Sequence, residues 1–265
     1  MAGELKQSTI VEEILQSPAS RSHFLKGAAV AAVSLGMAPS IAAASTLHGG
    51  GTGHGGGVSM MGETPQTILN IAATAEAAAV TALYNVHVAA VQGKLDVSGV
   101  AIPAATLIAI VRAILRQEQD HYAFITGAGG KPLLTSFSFP PEIFRKATSS
   151  LAFLEVADTI FVGAYMAANR EFAAAGMGTL AQYTYQIGGT EAEHRALARA
   201  GQGKLPNNKS YETNLFTKVA DAATVLGKAG VLKPGLNYPG AAAVDRILST
   251  TVSKDVNAGV IQRRP

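Results

Sequence analysis

The chain has 265 residues, of which 48% are hydrophobic and 15% are charged, and it contains no cysteine. This length allows one domain with a sizeable core together with extensions at its ends. The lack of cysteine excludes disulfides, iron–sulfur clusters and zinc sites with thiolate ligands, so any bound metal must use carboxylates and imidazoles. The net charge of +3 comes from scattered residues without a basic cluster, which argues against a nucleic-acid partner.

An export signal is predicted at residues 1–44. Arg21 precedes Phe24-Leu25-Lys26, and an uncharged run then continues to Ala42-Ala43-Ala44. Basic, apolar and small-residue regions in this order are typical of export signals. The segment resembles a twin-arginine (Tat) signal, but Ser22 stands where the second arginine would be, so the export route stays open. An uncleaved membrane anchor is the alternative, because about 18 uncharged residues approach spanning length. We expect a protein exported to the periplasm or cell envelope, with no membrane contact after signal removal.

A flexible linker is predicted at residues 45–63, because its many glycines make an ordered backbone costly. This segment also carries four side chains that could bind a soft metal: His48, His54, Met60 and Met61. The linker is the favoured interpretation, and a second metal site is the alternative.

A four-helix bundle is predicted at residues 64–203. Alanine-rich segments with apolar residues three or four positions apart, separated by glycine and proline, predict helices at residues 65–92, 102–126, 142–174 and 179–200. Short links within the first and second pairs of helices predict antiparallel neighbours, and the longer link between the pairs can cross the length of a bundle. Residues 204–265 are predicted to form a small C-terminal extension with short helices at about 214–228 and 239–249.

Each predicted helix carries a carboxylate near its middle on its apolar side. These acids are Glu76, Glu118, Glu155 and Glu191. A buried ionised glutamate costs several kcal/mol unless it is paired or bound to a cation, and four converging glutamates would also repel one another. Two divalent metal ions would remove both penalties, because their four positive charges balance four carboxylates. The sequence therefore predicts a metal site inside the bundle.

Two helices also place a histidine one turn after the glutamate. Glu118-Gln119-Asp120-His121 and Glu191-Ala192-Glu193-His194 each put an acid and an imidazole on one helix face. Gly188-Gly189-Thr190 precedes the second pair, and Thr190 with Glu193 forms a capping-box pattern. Two interpretations follow: one helix that continues through the glycines, which we favour, or a helix that begins at Thr190.

The order Glu, Glu-x-x-His, Glu, Glu-x-x-His resembles the ligand pattern of the ferritin-like di-iron and di-manganese carboxylate proteins. The chain looks like their exported bacterial branch, akin to desiccation-related ferritin-like proteins. This resemblance implies terminal ligands at Glu76 and Glu155, bridging ligands at Glu118 and Glu191, and one histidine, His121 or His194, on each metal. Candidate groups around these ligands are Asp120, Asp158, Tyr84, Tyr122 and Tyr165. Other polar residues, namely His87, Glu142, Glu171 and Glu193, are interpreted as surface or helix-end groups.

The predicted function is binding of a redox-active metal pair, iron or manganese, that reacts with dioxygen or peroxide. An enzyme of ferroxidase or manganese-catalase type is one interpretation. A metal-binding protein without turnover is another, and a desiccation or envelope stress protein with the same fold is a third. The sequence does not separate the first two, and a homo-oligomer is compatible with all three.

Overall fold

Four long α-helices dominate the computed structural model, which describes residues 63–250 and the side chains as far as residue 249. They are α1 (Pro65–Val91), α2 (Ala104–Gly127), α3 (Ala147–Ala174) and α4 (Gly178–Gly201), and two shorter helices follow, α5 (Val219–Lys228) and α6 (Ala241–Thr250). Two-residue strands, β1 (Ser136–Phe137) and β2 (Leu236–Asn237), pair antiparallel, and a 3-10 helix covers Pro141–Phe144. The all-α fold is confirmed. The predicted signal and nearly all of the linker lie outside the described residues.

The first helix begins where its capping residues predict. The Thr64 hydroxyl accepts a hydrogen bond from the Thr67 amide at 3.1 Å, and Pro65 occupies the first helical position. This cap satisfies one of the free amides of the first turn, and proline has no amide to satisfy there. α1 is therefore fixed at the end that faces the end of α2.

The long helices form two antiparallel pairs. The Gln66 amide at the start of α1 donates to the Gly129 carbonyl just after α2, at 2.9 Å. In the second pair, Asn169 near the end of α3 donates to the Ala181 carbonyl near the start of α4, at 2.5 Å. The start of α3 lies beside the end of α1, because the Ala147 amide donates to the Asp96 carbonyl at 2.8 Å. The link between α2 and α3 must therefore cross the length of the bundle, as predicted.

The third helix begins five positions later than predicted, at Ala147 instead of Glu142. Glu142 lies in the 3-10 turn, and Lys146 then adopts an extended backbone with φ −129° and ψ 123°. The extended residues on either side of this point pair with Asp96, whose amide donates to the Arg145 carbonyl at 2.8 Å. Backbone pairing with the loop after α1 thus replaces the first helical turn.

The C-terminal extension packs back onto the bundle. The Glu63 carboxylate accepts hydrogen bonds from the Val219 and Ala220 amides, at 2.5 and 2.9 Å, at the N-terminus of α5. An anion in this position satisfies free amides and interacts favourably with the helix dipole. At the other end of the extension, Asp245 on α6 pairs with Arg116 on α2 at 2.8 Å. These contacts hold both short helices against the bundle.

Helices α1 and α3 are long and apolar enough by length and composition to cross a membrane. Inside the bundle, 61% of the most apolar window of α1 and 56% of that of α3 is buried. Central helices of a helical bundle are expected to have this apolar character, because they pack against neighbours on several sides.

His87 is buried in the bundle, so its interpretation as a surface residue is wrong. Its side chain is 0% exposed, and neither ring nitrogen has a hydrogen-bond partner among the described residues. Burial and the nearby Arg112 charge lower the pKa of His87, which favours a neutral ring. A histidine on an apolar helix of high alanine content is therefore accommodated as an uncharged core group.

The α4 helix continues without interruption through Gly188 and Gly189, as favoured above. The Thr190 hydroxyl bonds the Gln186 carbonyl one turn earlier, so it does not cap a new helix. A Cβ atom added at Gly188 would lie 3.2 Å from the Tyr165 Cβ, whereas one added at Gly189 would have no neighbour within 4 Å. Gly188 therefore allows close packing of α4 against α3, and Gly189 has no such role.

We expect Gly189→Ala to stabilise the protein by about 1 kcal/mol, because alanine loses less conformational freedom than glycine in a helix. Gly188→Ala should gain less or lose stability, since its methyl group would press on Tyr165. Urea unfolding of the two variants beside the wild type measures the difference. Equal gains at both positions would contradict the close-packing role of Gly188.

Candidate metal centre

Acidic and imidazole side chains from all four long helices meet in the middle of the bundle. Glu76 from α1, Glu118 from α2 and Glu191 from α4 are each no more than 1% exposed. His194 from α4 is equally buried, and Asp158 from α3 is 2% exposed. We call these five residues together with His121 the acid–histidine cluster. His121 is the most accessible member, with a side chain 12% exposed.

One half of the cluster surrounds His121. Its Nδ1 atom lies 3.2 Å from Glu191 Oε1, 3.6 Å from Glu118 Oε2 and 3.7 Å from Glu76 Oε2. One ligand atom from each of these four residues lies within 4.8 Å of the others. Three carboxylate oxygens and one imidazole nitrogen at this spacing can surround a single metal ion.

The other half surrounds His194. Its Nδ1 atom lies 3.1 Å from Glu118 Oε1 and 3.4 Å from Glu191 Oε2. Asp158 completes this group, and again one ligand atom from each of the four residues lies within 4.8 Å of the others. The second group has the same composition as the first, three carboxylates and one imidazole.

Glu118 and Glu191 belong to both halves. Each turns one carboxylate oxygen towards His121 and the other towards His194. The two imidazole rings lie 6.3 Å apart between centroids, with the shared carboxylates between them. A carboxylate whose two oxygens face separate ligand groups is placed to bridge two metal ions. Glu76 and Asp158 face only one group each, so they are placed as terminal ligands.

The donor atoms of the cluster fit cations because other groups do not satisfy them. Buried atoms without a hydrogen-bond partner include both oxygens of Glu118 and of Glu191, one oxygen of Glu76 and one of Asp158, and Nδ1 of both histidines. Leaving even one such atom unpaired in a core costs about 1–3 kcal/mol. Buried unpaired carboxylates and imidazoles that converge on common points are the donor set expected for divalent iron, manganese or zinc.

The cluster distorts the acidity of its own members. Burial and the charge of Glu118 raise the pKa of Glu76 well above its ordinary value, and burial with the charge of Glu191 does the same for Asp158. Burial lowers the pKa of His194, but the facing Glu118 and Glu191 carboxylates outweigh it and raise the pKa to about 10. Protons thus balance part of the negative charge, and a divalent metal would displace them on binding.

Neighbouring side chains orient two of the candidate ligands. Gln117 Oε1 lies 2.9 Å from His194 Nε2. In the neutral ring that would bind a metal, Nε2 donates to this oxygen and the lone pair of Nδ1 faces the shared carboxylates, and such partners commonly set the tautomer of a metal-ligating histidine. On the other side, the Tyr165 hydroxyl donates to Glu76 Oε1 and leaves Oε2 for the cluster.

The structure does not bring Glu155 to the cluster, in contrast to the predicted ligand set. The Glu155 carboxylate forms ion pairs with Arg199 and with Lys204, the latter at 2.6 Å, and accepts a hydrogen bond from Gln202 at 2.9 Å. Burial raises the pKa of Glu155, but these cations near the end of α4, together with Gln202, outweigh it and hold the pKa below its ordinary value. Asp158, three positions later on the same helix, occupies the place expected for Glu155.

Of the other residues predicted to surround the ligands, one contacts the cluster and the rest pack elsewhere. Asp120 pairs with Arg116 at 3.4 Å, with 40% of its side chain exposed, and belongs to neither of the two ligand groups among the described residues. Tyr122 packs against Tyr238 with ring centroids 4.7 Å apart, and Tyr84 packs in the apolar core. Among the described residues, Tyr165 is the tyrosine that hydrogen-bonds a member of the cluster.

A family comparison agrees with this arrangement. The model of the ferritin-like domain matches residues 64–204, which include the four long helices and the whole acid–histidine cluster. The chain belongs to the ferritin-like family. No curated protein and no solved structure matches it. The family resemblance inferred from the order of Glu and Glu-x-x-His is thereby confirmed.

Proposed function

We propose that this ferritin-like protein binds two divalent ions of iron or manganese and that the loaded centre reacts with dioxygen or peroxide. The observation that supports the proposal is the pair of four-residue groups that share Glu118 and Glu191. Two ions bring four positive charges to four buried carboxylates, which is the balance that the interior requires. A single ion would leave either His121 or His194 and its terminal acid without a partner.

The residues of each group take the roles that their positions allow. Glu76 and His121 would hold one ion, and Asp158 and His194 would hold the other. The two remaining glutamates of the cluster would each bind both ions. Bound iron or manganese supplies the electrons for reduction of dioxygen or peroxide, chemistry that protein side chains alone lack. Carboxylates suit such a centre because their oxygens can shift between terminal and bridging positions.

The surroundings of the cluster control protons and water. The hydroxyl of Tyr165 donates its proton to Oε1 of Glu76, while Oε2 of the same carboxylate faces the other donor atoms. Helix packing excludes water from the remaining acids, which are no more than 2% exposed. His121 is the cluster member with the greatest exposure, so metal ions and small polar reactants are expected to enter from its side.

Metal analysis of the purified full chain, followed by two reactivity assays, tests the proposal. We expect about two iron or manganese ions per chain, as for the di-metal carboxylate proteins. The iron-loaded chain should oxidise iron(II) on mixing with dioxygen, or the manganese-loaded chain should release oxygen from hydrogen peroxide. Two tightly bound ions without either reaction would favour the non-catalytic alternative, a metal-binding or desiccation and envelope stress protein. A chain that binds no iron or manganese would contradict the proposal.

A further inference from the structure

An apolar cavity lies against the acid–histidine cluster, between α1 and α3. Its volume is about 60 Å³. Of the side chains that line it, those of Ser150 and Asp158 carry polar atoms, and all the others are aliphatic or aromatic. Ala82, Leu151 and Phe161 are typical of the lining, and each is no more than 6% exposed. The cavity is therefore an apolar space in the core that reaches one of the candidate metal ligands.

The cavity is elongated along α1. Its lining includes Ala78 at one end and Val86 at the other, positions about 12 Å apart at the rise of an α-helix. With a volume of about 60 Å³, this stretch of the core forms a passage with room for a small molecule only. Asp158 lies on its wall, and the Oδ2 atom of Asp158 is buried without a hydrogen-bond partner. The passage thus adjoins the carbon atoms of Asp158, on the side of the cluster where His194 lies.

The lining decides which reactant the cavity suits. Water in a protein interior needs two to four polar partners, and hydrogen peroxide has the same donor and acceptor needs, which aliphatic walls do not meet. A charged molecule would lose its hydration without compensation. Dioxygen is apolar and diatomic, so it loses little on leaving water and fits the narrow space. We infer that this cavity binds dioxygen and delivers it to the metal pair beside Asp158.

A second, smaller cavity supports the same inference. It has a volume of about 30 Å³ and is also lined almost wholly by apolar side chains, with Tyr165 as the polar exception apart from the backbone. Phe161 and Leu226 line both cavities. Tyr165 hydrogen-bonds Glu76, so the second cavity adjoins a neighbour of the His121 half of the cluster, and Leu226 of α5 lines both cavities. The inference rests on the proposed function, and it selects dioxygen over peroxide as the reactant.

Xenon tests the cavity without any reaction. It is apolar, comparable in size to dioxygen, and binds in dry apolar cavities of proteins. Crystals of the full chain under xenon pressure should show xenon between Ala82 and Asp158, whatever the metal content. Ala82→Leu should fill the passage and abolish this xenon site. Ala89→Leu is the matched control, because Ala89 lies on the same helix, is 9% exposed and does not line the cavity.

Oxygen dependence then tests delivery. In the iron-loaded chain, Ala82→Leu should raise the KM for dioxygen severalfold and leave the rate at saturating oxygen unchanged, while Ala89→Leu should change neither. Anaerobic titration with cobalt(II) shows separately whether each variant still binds metal. Two results would overturn the inference without contradicting the metal centre. One is a wild-type cavity that binds no xenon, and the other is an unchanged KM for dioxygen in an Ala82→Leu chain that has lost the xenon site. A wild-type chain that binds no cobalt(II) would overturn both.

Discussion

Replacing Glu118 and Glu191 together by glutamine is expected to reduce the bound metal from about two ions per chain to none. Each of these carboxylates faces both histidines, so each contributes to both halves of the cluster. Losing both carboxylates removes half of the negative charge of the cluster, and each ion loses two of its oxygen ligands. Glutamine keeps the size of the side chain, so the helices should still pack.

A matched double variant separates this effect from a general loss of acidic charge. Asp120→Asn with Glu193→Gln removes two carboxylates, each two positions after a bridging residue and on the outer side of the same helix. Asp120 pairs with Arg116, and Glu193 is exposed, so neither is a member of the two ligand groups. Elemental analysis of both double variants, with circular dichroism to check the helices, makes the comparison. Two ions retained by the Glu118→Gln, Glu191→Gln chain would refute the bridging assignment.

Much of the bundle could be predicted because local signals and tertiary packing agree. Thr64 and Pro65 mark the start of α1, and glycine at position 93 has a φ of 66°, a backbone conformation that ends a helix readily. The start of α3 could not be read in this way. Its position depends on pairing between Asp96 and the residues around Lys146, a contact between segments distant in the sequence.

The position of Glu155 outside the cluster has a similar origin. Leu151, Glu155 and Asp158 all fall on the apolar stripe of the third helix, and spacing alone allows either acid to face the centre. In the structure Leu151, Asp158 and Tyr165, seven positions apart, are no more than 5% exposed, whereas the side chain of Glu155 is 17% exposed. A seven-residue repeat marks the middle of the stripe, and Glu155 lies at its edge.

A signal against Glu155 was present in the sequence but needed the helix pairing to be useful. Arg199 lies in the last turn of α4 and Lys204 just after it, and an antiparallel α4 brings that end beside the first turns of α3, where Glu155 is found. Asp158 is one turn further along, beyond the reach of these cations. The partners of each acid therefore follow from the register of the two helices, which periodicity does not give.

Asp158→Asn and Glu155→Gln are expected to have opposite consequences, and this pair decides which acid of α3 is the ligand. Asp158→Asn should weaken the ion beside His194 by more than a hundredfold, since changes to groups that merely orient a ligand already cost roughly 10- to 100-fold. The ion beside His121 should remain, held by Glu76 and the two bridging glutamates. Titration with cobalt(II), whose visible absorption reports each filled site, should then show one tight ion instead of two.

Glu155→Gln should keep both ions and lower the free energy of unfolding instead. The variant loses its charge-assisted contacts to Arg199 and Lys204, which at a half-buried position contribute roughly 1–2 kcal/mol. Urea unfolding of the metal-free chains measures this loss. Asp158→Asn should not reproduce this loss of stability. Asparagine keeps the size of the side chain, and among the groups that shift the pKa of Asp158 the only cation is His194. A chain that loses an ion with Glu155→Gln and keeps both with Asp158→Asn would return Glu155 to the ligand set, and α3 would then have to rotate about its axis when metal binds.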